Sequence, residues 1–538
     1  MIFTATLFSC GNTDRGDGSG HMYDVSILGN PYSLDPQYAT DSASETIIKN
    51  LYSGLMTTDS YGNITCCNAE SYSISPDGLE YTFTLRQDNY WFYDENNNDY
   101  IDDNEYFPVT AKDYVFAFRR ILDPAMKSPY AEDFACIRNG SNIIADKALP
   151  ETAGVIAVDN YTLNISLDYP CAEFLGLLAT SPACPCNREF FYSTKGRYGL
   201  DDRSVMSNGS FFVRQWFYDP YGVNNILYMK KNSVNSSETN PVIPSFLNFT
   251  IESNENDIRN MFRTGDIECF TTENIDGINV EKNIITSSCA ITLGLVFNSE
   301  DKYFSSLSMR KALAFSIDRD KILDENEKDI SIAYGVIPPA VSLLGRSYRE
   351  LVSDRQYEFY GISEAERCLS IAQAELDIED PAYFEDIKIL VSAGSVDAEY
   401  LNRLSEQWYD ALGVYIGIEE VTPAEFEQRI ANKDYGLALY PLKAEFNSGL
   451  SVIEQFSGNE CLEYSVNGKK LADEIRKCSD VSELVECYCK QESRILDGYG
   501  FIPLFYKNSY LVMNSDNEDI IYDAFTGAVD FRIAKNYN

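Results

Sequence analysis

The stretch Leu401-Asn402-Arg403-Leu404-Ser405-Glu406-Gln407-Trp408-Tyr409-Asp410-Ala411-Leu412-Gly413-Val414-Tyr415-Ile416-Gly417-Ile418 decides the fold class. Leu401, Leu404, Trp408, Ala411 and Leu412 recur at helical spacing, Gly413 ends the run, and Val414, Ile416 and Ile418 alternate as in a half-buried strand. A helix feeding directly into a strand is one half of a crossover unit. Helical spacing returns at Met309, Ala312, Leu313 and Ile317. Period-two patterns mark Leu79, Tyr81, Phe83 and Leu85, and again Tyr161, Leu163, Ile165 and Leu167. Asp113 is placed to cap a helix over 114–122 that stops before Pro124. Together these predict an α/β architecture with crossover connections, and there is no short solenoid-type repeat.

The chain has 538 residues, more than one core usually serves, so two or three lobes are expected. Hydrophobic residues make up 44%, ample for a packed interior, which excludes disorder as a description of the whole. A net charge of −40 repels phosphate backbones and excludes a nucleic-acid-binding role. No apolar run approaches the roughly 20 residues of a membrane-spanning helix. The opening Met1-Ile2-Phe3-Thr4-Ala5-Thr6-Leu7-Phe8-Ser9-Cys10 resembles a bacterial lipobox, although Phe8 is bulky and no Lys or Arg precedes the apolar run. It implies lipidation at Cys10, a membrane anchor and a place on the extracellular face of the cell membrane. The 14 cysteines lack a C-x-x-C pair and with one histidine cannot make a zinc site completed by imidazoles, so most read as small buried hydrophobes.

Further motifs stand in one order along the chain. They are Pro31-x-x-Leu34-Asp35-Pro36, Asn50 to Leu55, Ser75-Pro76-Asp77-Gly78 running to Arg86, and Pro108-Val109-Thr110-Ala111-Lys112-Asp113 running to Pro124. Asn208-Gly209 before Trp216, Phe297-Asn298, Arg310 to Arg319, Leu412-Gly413-Val414 and Ile502-Pro503-Leu504 follow. This series resembles the extracellular solute-binding proteins of family 5, the oligopeptide- and dipeptide-binding components of ABC importers. The resemblance implies a periplasmic-binding-protein-like fold of type II, cluster C: a Venus-flytrap of two α/β lobes with an extra inserted domain. Matched motif positions put a signal and linker at 1–21, lobe I at 22–51, 179–285 and 501–538, the inserted domain at 52–178, and lobe II at 286–500. The expected molecule is a monomer that captures a peptide between its lobes and presents it to permease transmembrane subunits, with no organic cofactor.

Such a site must grip what all peptides share: backbone amides, an ammonium and a carboxylate. The resemblance aligns Glu445 with the family's ammonium-binding aspartate, with Phe446 and Asn447 beside it, and puts Asn208, Gly209 and Ser210 along the ligand backbone. Tyr52 and Asn298 belong to the same expected set. The ordinary alternatives are an Asn-Gly turn, and a Glu445 paired with Lys443 or facing solvent. The chain departs from the family where Leu442 replaces a common Trp, and where Arg429 and Ile430 give no clean match to a carboxylate-binding arginine. Lys302 is the substitute candidate for that carboxylate.

Between Trp91 and Pro108 lies an acidic insert whose oxygen-bearing Asp94, Asn96, Asn98, Asp102 and Glu105 fall at positions 1, 3, 5, 9 and 12. With Tyr100 offering a carbonyl at position 7 and Ile101 at position 8, this is the calcium-loop pattern of an EF-hand. Asp99 stands where glycine is usual, and an Asp tolerates the left-handed conformation needed. The expected cofactor is one structural Ca2+; the competing reading is a solvated acidic loop.

An enzyme reading finds little support. The only histidine, His21, falls in the expected linker, and there is neither a Walker loop nor a dinucleotide fingerprint. Carboxylate pairs are so abundant that composition leaves a glycosidase open. The same fold could also carry another small solute or serve as a peptide-sensing or adhesion protein.

Overall fold

The computed structural model describes residues 20–537 except 60–61, 99, 223, 239, 325–326, 344, 353–359, 379–386, 458–460, 463–465 and 479. Cys10 and its lipobox lie outside the described residues.

One mixed sheet runs through the molecule. In spatial order its strands are Phe211–Phe217, Ile226–Lys231, Phe246–Glu252, Met22–Leu28, Cys269–Thr272, Phe501–Asn514, Asn283–Phe297, Leu437–Lys443, Lys388–Ser392 and Gly417–Val421, with Ile330–Ile332 pairing the sixth. Met22–Leu28 pairs in parallel with Phe246–Glu252, and Lys388–Ser392 with Gly417–Val421, the parallel pairs the helix-then-strand pattern requires.

Two long strands, Asn283–Phe297 and Phe501–Asn514, cross between lobes. Val512 and Leu511 face Ile285 and Thr286 on the lobe I side, while Phe501 and Ile502 pair with Val296 and Leu295 in lobe II. The expected boundaries at 285/286 and 500/501 therefore fall at the ends of shared strands. Ile502, Leu504 and Phe505 pack in the lobe II core, while Leu511 and Met513 pack in the core of lobe I, so residues 501–506 sit with the second lobe. Register shifts between Ser288 and Ile291 and between Leu293 and Gly294 mark the crossing.

The inserted segment builds a four-stranded antiparallel sheet, ordered Ala69–Ile74, Glu80–Leu85, Thr162–Ser166, Val155–Ala157. Helix Ala111–Leu122 packs on it, and Phe83, Phe118 and Leu163 share one core with Val25 and Phe249 of lobe I. Insert and lobe I are thus one body. A buried ion pair helps join them: Arg120 donates to Asp35 at 2.5 Å and to Gln37 at 2.7 Å.

Two local expectations need correction. Asp113 is not the cap of its helix; Thr110 is, and the Asp113 carboxylate, three residues on, accepts from the Thr110 backbone N–H at 2.8 Å as the return half of a capping box. The strand expected from Val414 starts at Gly417. Val414 and Ile416 are buried as their alternation requires, but Gly413, left-handed at φ 68°, closes helix Ala398–Leu412 and the chain needs three residues to reach the sheet. His21 is not free linker either: its Nε2 lies 3.0 Å from Glu268 Oε1 and its ring stands edge-on to Tyr23.

Candidate functional site

A cavity of about 620 Å³ opens where the lobes and the insert meet. It continues through Glu273, Ile291, Ala393, Gly394, Lys443 and Thr526 into a second space of about 1270 Å³. Strand Leu437–Lys443 supplies one wall by simple alternation: Leu439, Pro441 and Lys443 line the cavity, and Ala438 and Leu442 pack in the lobe II core. Leu442 is therefore not a vacant aromatic wall. Aromatic surface comes instead from Tyr130, Phe426, Phe446 and Phe525.

Glu445 sits just past that strand, on the cavity wall. The turn carrying it is pinned on both sides. The Ala444 N–H donates to the Ala290 carbonyl at 2.9 Å, and Gln455 donates to the Lys443 carbonyl at 2.7 Å. Beyond, Ser448 caps helix Gly449–Ile453 by accepting from the Leu450 N–H at 2.9 Å. The Glu445 side chain is accessible from within the cavity but surrounded by protein, which raises its pKa, with Lys443 acting against the rise. Among the described residues it has neither a hydrogen bond nor an ion pair. Phe446 lines the cavity beside it. Asn447 does not: its amide accepts from the Ser342 N–H at 2.7 Å and donates to the Ser342 hydroxyl at 3.0 Å.

The remaining expected ligand contacts lie elsewhere. Asn208 is fully buried, accepts from the Ser53 N–H at 3.1 Å, and donates to the Ser53 carbonyl at 2.9 Å and to Asn89 Oδ1 at 3.1 Å. Gly209 lies flat against residue 51, and a Cβ there would come within 2.6 Å of the Leu51 carbonyl carbon. The Asn208 side chain is thus spent inside the protein, and neither residue lines the cavity. Ser210 and Tyr52 border a separate recess of about 40 Å³, and the Tyr52 hydroxyl meets that of Tyr198 at 3.2 Å. Asn298 donates to the carbonyls of Lys433 and Tyr435 at 3.0 and 2.9 Å, closing the far end of its strand pair. The Lys302 ammonium lies 4.3 Å from the Tyr303 ring centre, and Arg429 is held by Glu419 at 3.0 Å. The cations of the cavity are Lys443 and Lys507, the latter bound to Glu273 at 2.7 Å.

Two further carboxyls of this wall lie outside the set the sequence points to. Asp133, from the turns after helix Ala111–Leu122, is pushed up to about 7 by burial and by the nearby Glu445 charge, against the pull of Arg476. Glu45, on helix Ser42–Leu51, rises to about 7 by burial even though the Ser181 hydroxyl donates to it at 2.5 Å. No periodicity marks Asp133; only the tertiary path of residues 124–136 brings it here.

The acidic loop 94–105 folds back on itself. Asp94 accepts from the Asn98 N–H at 3.1 Å, and the amides of Asn96 and Asn98 both donate to Asp102 Oδ2, at 2.8 and 2.9 Å. Glu105 is buried and accepts from the Asn96 N–H at 3.2 Å. Tyr100 is exposed, Asn97 is left-handed at φ 58°, and Asp99 lies outside the described residues. Among the described residues no three His, Cys, Asp or Glu are clustered to hold a metal by themselves.

A two-lobed α/β body, crossed by two shared strands and enclosing an acidic cavity at the junction, defines a hinged solute-binding protein. The model for bacterial extracellular solute-binding proteins, family 5 middle, matches residues 65–461, and the chain belongs to that family. It is 23% identical to the oligopeptide-binding protein OppA of Bacillus subtilis, over 99% of this chain and 97% of that one. It is also 23% identical to the probable deoxycholate-binding periplasmic protein YgiS of Escherichia coli, over 89% and 86%. The fold matches that of Listeria monocytogenes OppA bound to peptide with a TM-score of 0.73 at 21% identity, covering 96% and 99% of the two chains. Among the described residues no helix is long and apolar enough to cross a membrane.

Proposed function

We propose that the chain captures peptides in the interlobe cavity and hands them to the permease of an ABC importer. One observation carries this reading: Glu445, on the junction wall, is a carboxylate without hydrogen bond or ion pair among the described residues, poised for a ligand ammonium. Lys443, two residues before it at the end of the preceding strand and also on the cavity wall, offers a cation for the opposite end of a short zwitterion. The mixed aromatic and polar walls suit side chains of many shapes, which a peptide carrier needs. Opening and closing would pivot on the shared strands Asn283–Phe297 and Phe501–Asn514. Titration calorimetry against a mixed peptide library, with N-acetylated peptides as controls, tests the reading. Heat from free peptides and none from acetylated ones is expected; indifference to acetylation removes Glu445 from its role.

Two further assignments belong to this reading. Cys10 anchors the protein to the extracellular face of the membrane, and lipid labelling lost in Cys10→Ala checks that. The loop 94–105 holds one structural Ca2+. The way the side chains of Asn96 and Asn98 gather on Asp102, with Asp94 and Glu105 bonded to the same loop, supports it; to bind the ion the two amides, whose nitrogens now donate to Asp102, would turn their oxygens inward.

A further inference from the structure

Besides Glu273, held by Lys507, and the exposed Glu427, three carboxyls from three different segments line the same cavity: Glu45 from the first helix, Asp133 from the insert and Glu445 from the second lobe. Local donors do not compensate all three. Ser181 serves Glu45 at 2.5 Å. The Tyr130 hydroxyl on the same wall donates to the Ala39 carbonyl and not to Asp133. Arg476 faces Asp133, but its guanidinium is bound to Glu454 and, at 3.1 Å, to Asp473. Glu132 adds a further negative charge beside it. Asp133 consequently has no hydrogen bond or ion pair among the described residues. Of the two cavity lysines, Lys507 is taken by Glu273 at 2.7 Å, so Lys443 alone stands without an ion pair among the described residues.

A simple zwitterionic peptide does not balance this wall. Its ammonium matches Glu445 and its carboxylate can reach Lys443, which leaves Asp133 without a cation, so that it must either keep a proton or stand ionised and unpaired in a partly dehydrated space. A ligand with a second cation resolves the mismatch. Resting on the peptide reading above, we propose that the cavity selects peptides with Lys or Arg among their first two residues, Glu445 taking the terminal ammonium and Asp133 the side-chain cation.

The protonation of Asp133 supports the same assignment. With its pKa near 7, the free protein holds a proton there through much of the neutral range. A ligand cation stabilises the carboxylate, so binding must expel that proton. A ligand lacking the second cation leaves it in place.

The test uses calorimetry on the whole chain at pH 7.5 with Lys-Ala-Ala and Ala-Lys-Ala against their norleucine counterparts, which keep the aliphatic stem and lose the charge. At least one lysine peptide should bind roughly tenfold tighter than its counterpart, and Asp133→Asn should shrink that ratio to about threefold or less. On the unaltered protein, titration at pH 6.5 in buffers of different ionisation enthalpy should register proton release with the preferred lysine peptide and little with its counterpart. This second readout stands even if the variant folds poorly. Equal affinity of lysine and norleucine peptides, a ratio unchanged in Asp133→Asn, or equal proton release overturns the proposal while leaving peptide capture intact. Failure of every peptide to bind overturns both.

Discussion

The Tyr488 hydroxyl of the second lobe donates a hydrogen bond to the half-buried Glu173 carboxylate of the insert. The same oxygen accepts from the Gly449 N–H at 3.0 Å, at the start of the helix that follows Glu445. A contact between the two bodies is thus wired to the turn that carries the candidate ammonium partner. Burial pushes Glu173 up to about 7 from its ordinary 4.5, against the opposing hydrogen bonds from Ser448 and Tyr488.

That shift has a signed consequence. Between pH 4.5 and about 7 the native protein keeps a proton on Glu173 that the unfolded chain has released. Stability therefore falls as pH rises through this window, by up to about 1.4 kcal/mol per pH unit for this group, and levels off above it. Glu45 and Asp133, both raised to about 7, act in the same direction. Glu173→Gln mimics the protonated form. Differential scanning calorimetry should find it more stable than the parent at pH 8, by roughly 1–3 kcal/mol, and about equal at pH 5. A variant less stable than the parent at pH 8 would mean that the ionised carboxylate is the favoured native form.

Glu445 calls for the opposite experiment, since its side chain faces the cavity rather than a protein partner. Glu445→Gln removes the charge while keeping shape, and no ion pair among the described residues is lost with it. Peptides with a free amino terminus should bind about tenfold or more weakly, because the ammonium then enters the cavity without its counter-charge. The melting temperature should not fall. Calorimetric affinity equal to that of the parent would place the ammonium elsewhere.

The difference between what the sequence discloses and what it hides has a physical basis. Family motifs such as Asp35, Arg310 and Arg319 are legible because they are scaffolding set at fixed places in the chain. Asp35 pairs with Arg120, Arg310 binds the Phe304 carbonyl at 2.6 Å, and Arg319 binds the Pro503 carbonyl at 3.1 Å. Glu445 is legible because a regular strand immediately precedes it and fixes its face. Asp133 and Glu45 are not, since their approach depends on how three distant segments meet. Asn208-Gly209 shows the converse: the motif is specific, but what it sets in this structure is a close backbone packing away from the cavity.

That packing gives a direct test. Gly209 donates its N–H to the Leu51 carbonyl at 2.9 Å, and any Cβ there would collide with the Leu51 and Tyr52 backbone. Backbone cannot swing away as a side-chain tip can, so Gly209→Ala should cost about 1–3 kcal/mol in urea unfolding. Peptide affinity of the folded fraction should stay within about twofold of the parent, because the residue lies off the cavity. A stable variant that binds peptides poorly would return Asn208-Gly209 to the ligand site.

The loop 94–105 can be judged by the same separation of stability from binding. Its side chains already converge through hydrogen bonds of Asn96 and Asn98 to Asp102, so the uncharged partners at the centre are amides that must rotate to offer oxygen. A hard divalent cation would supply the reason to rotate, and the buried Glu105 would tie such an ion to the body of the insert. Millimolar Ca2+ should therefore raise the melting temperature, and Asp94→Ala should abolish the rise. Mg2+ should do less, because its tighter octahedral shell fits a twelve-residue loop poorly. The loop lies in the insert rather than on the junction, so peptide affinity measured with and without chelator should agree. Identical melting curves with Ca2+ and with chelator would leave residues 94–105 a solvated acidic turn held by its own amides.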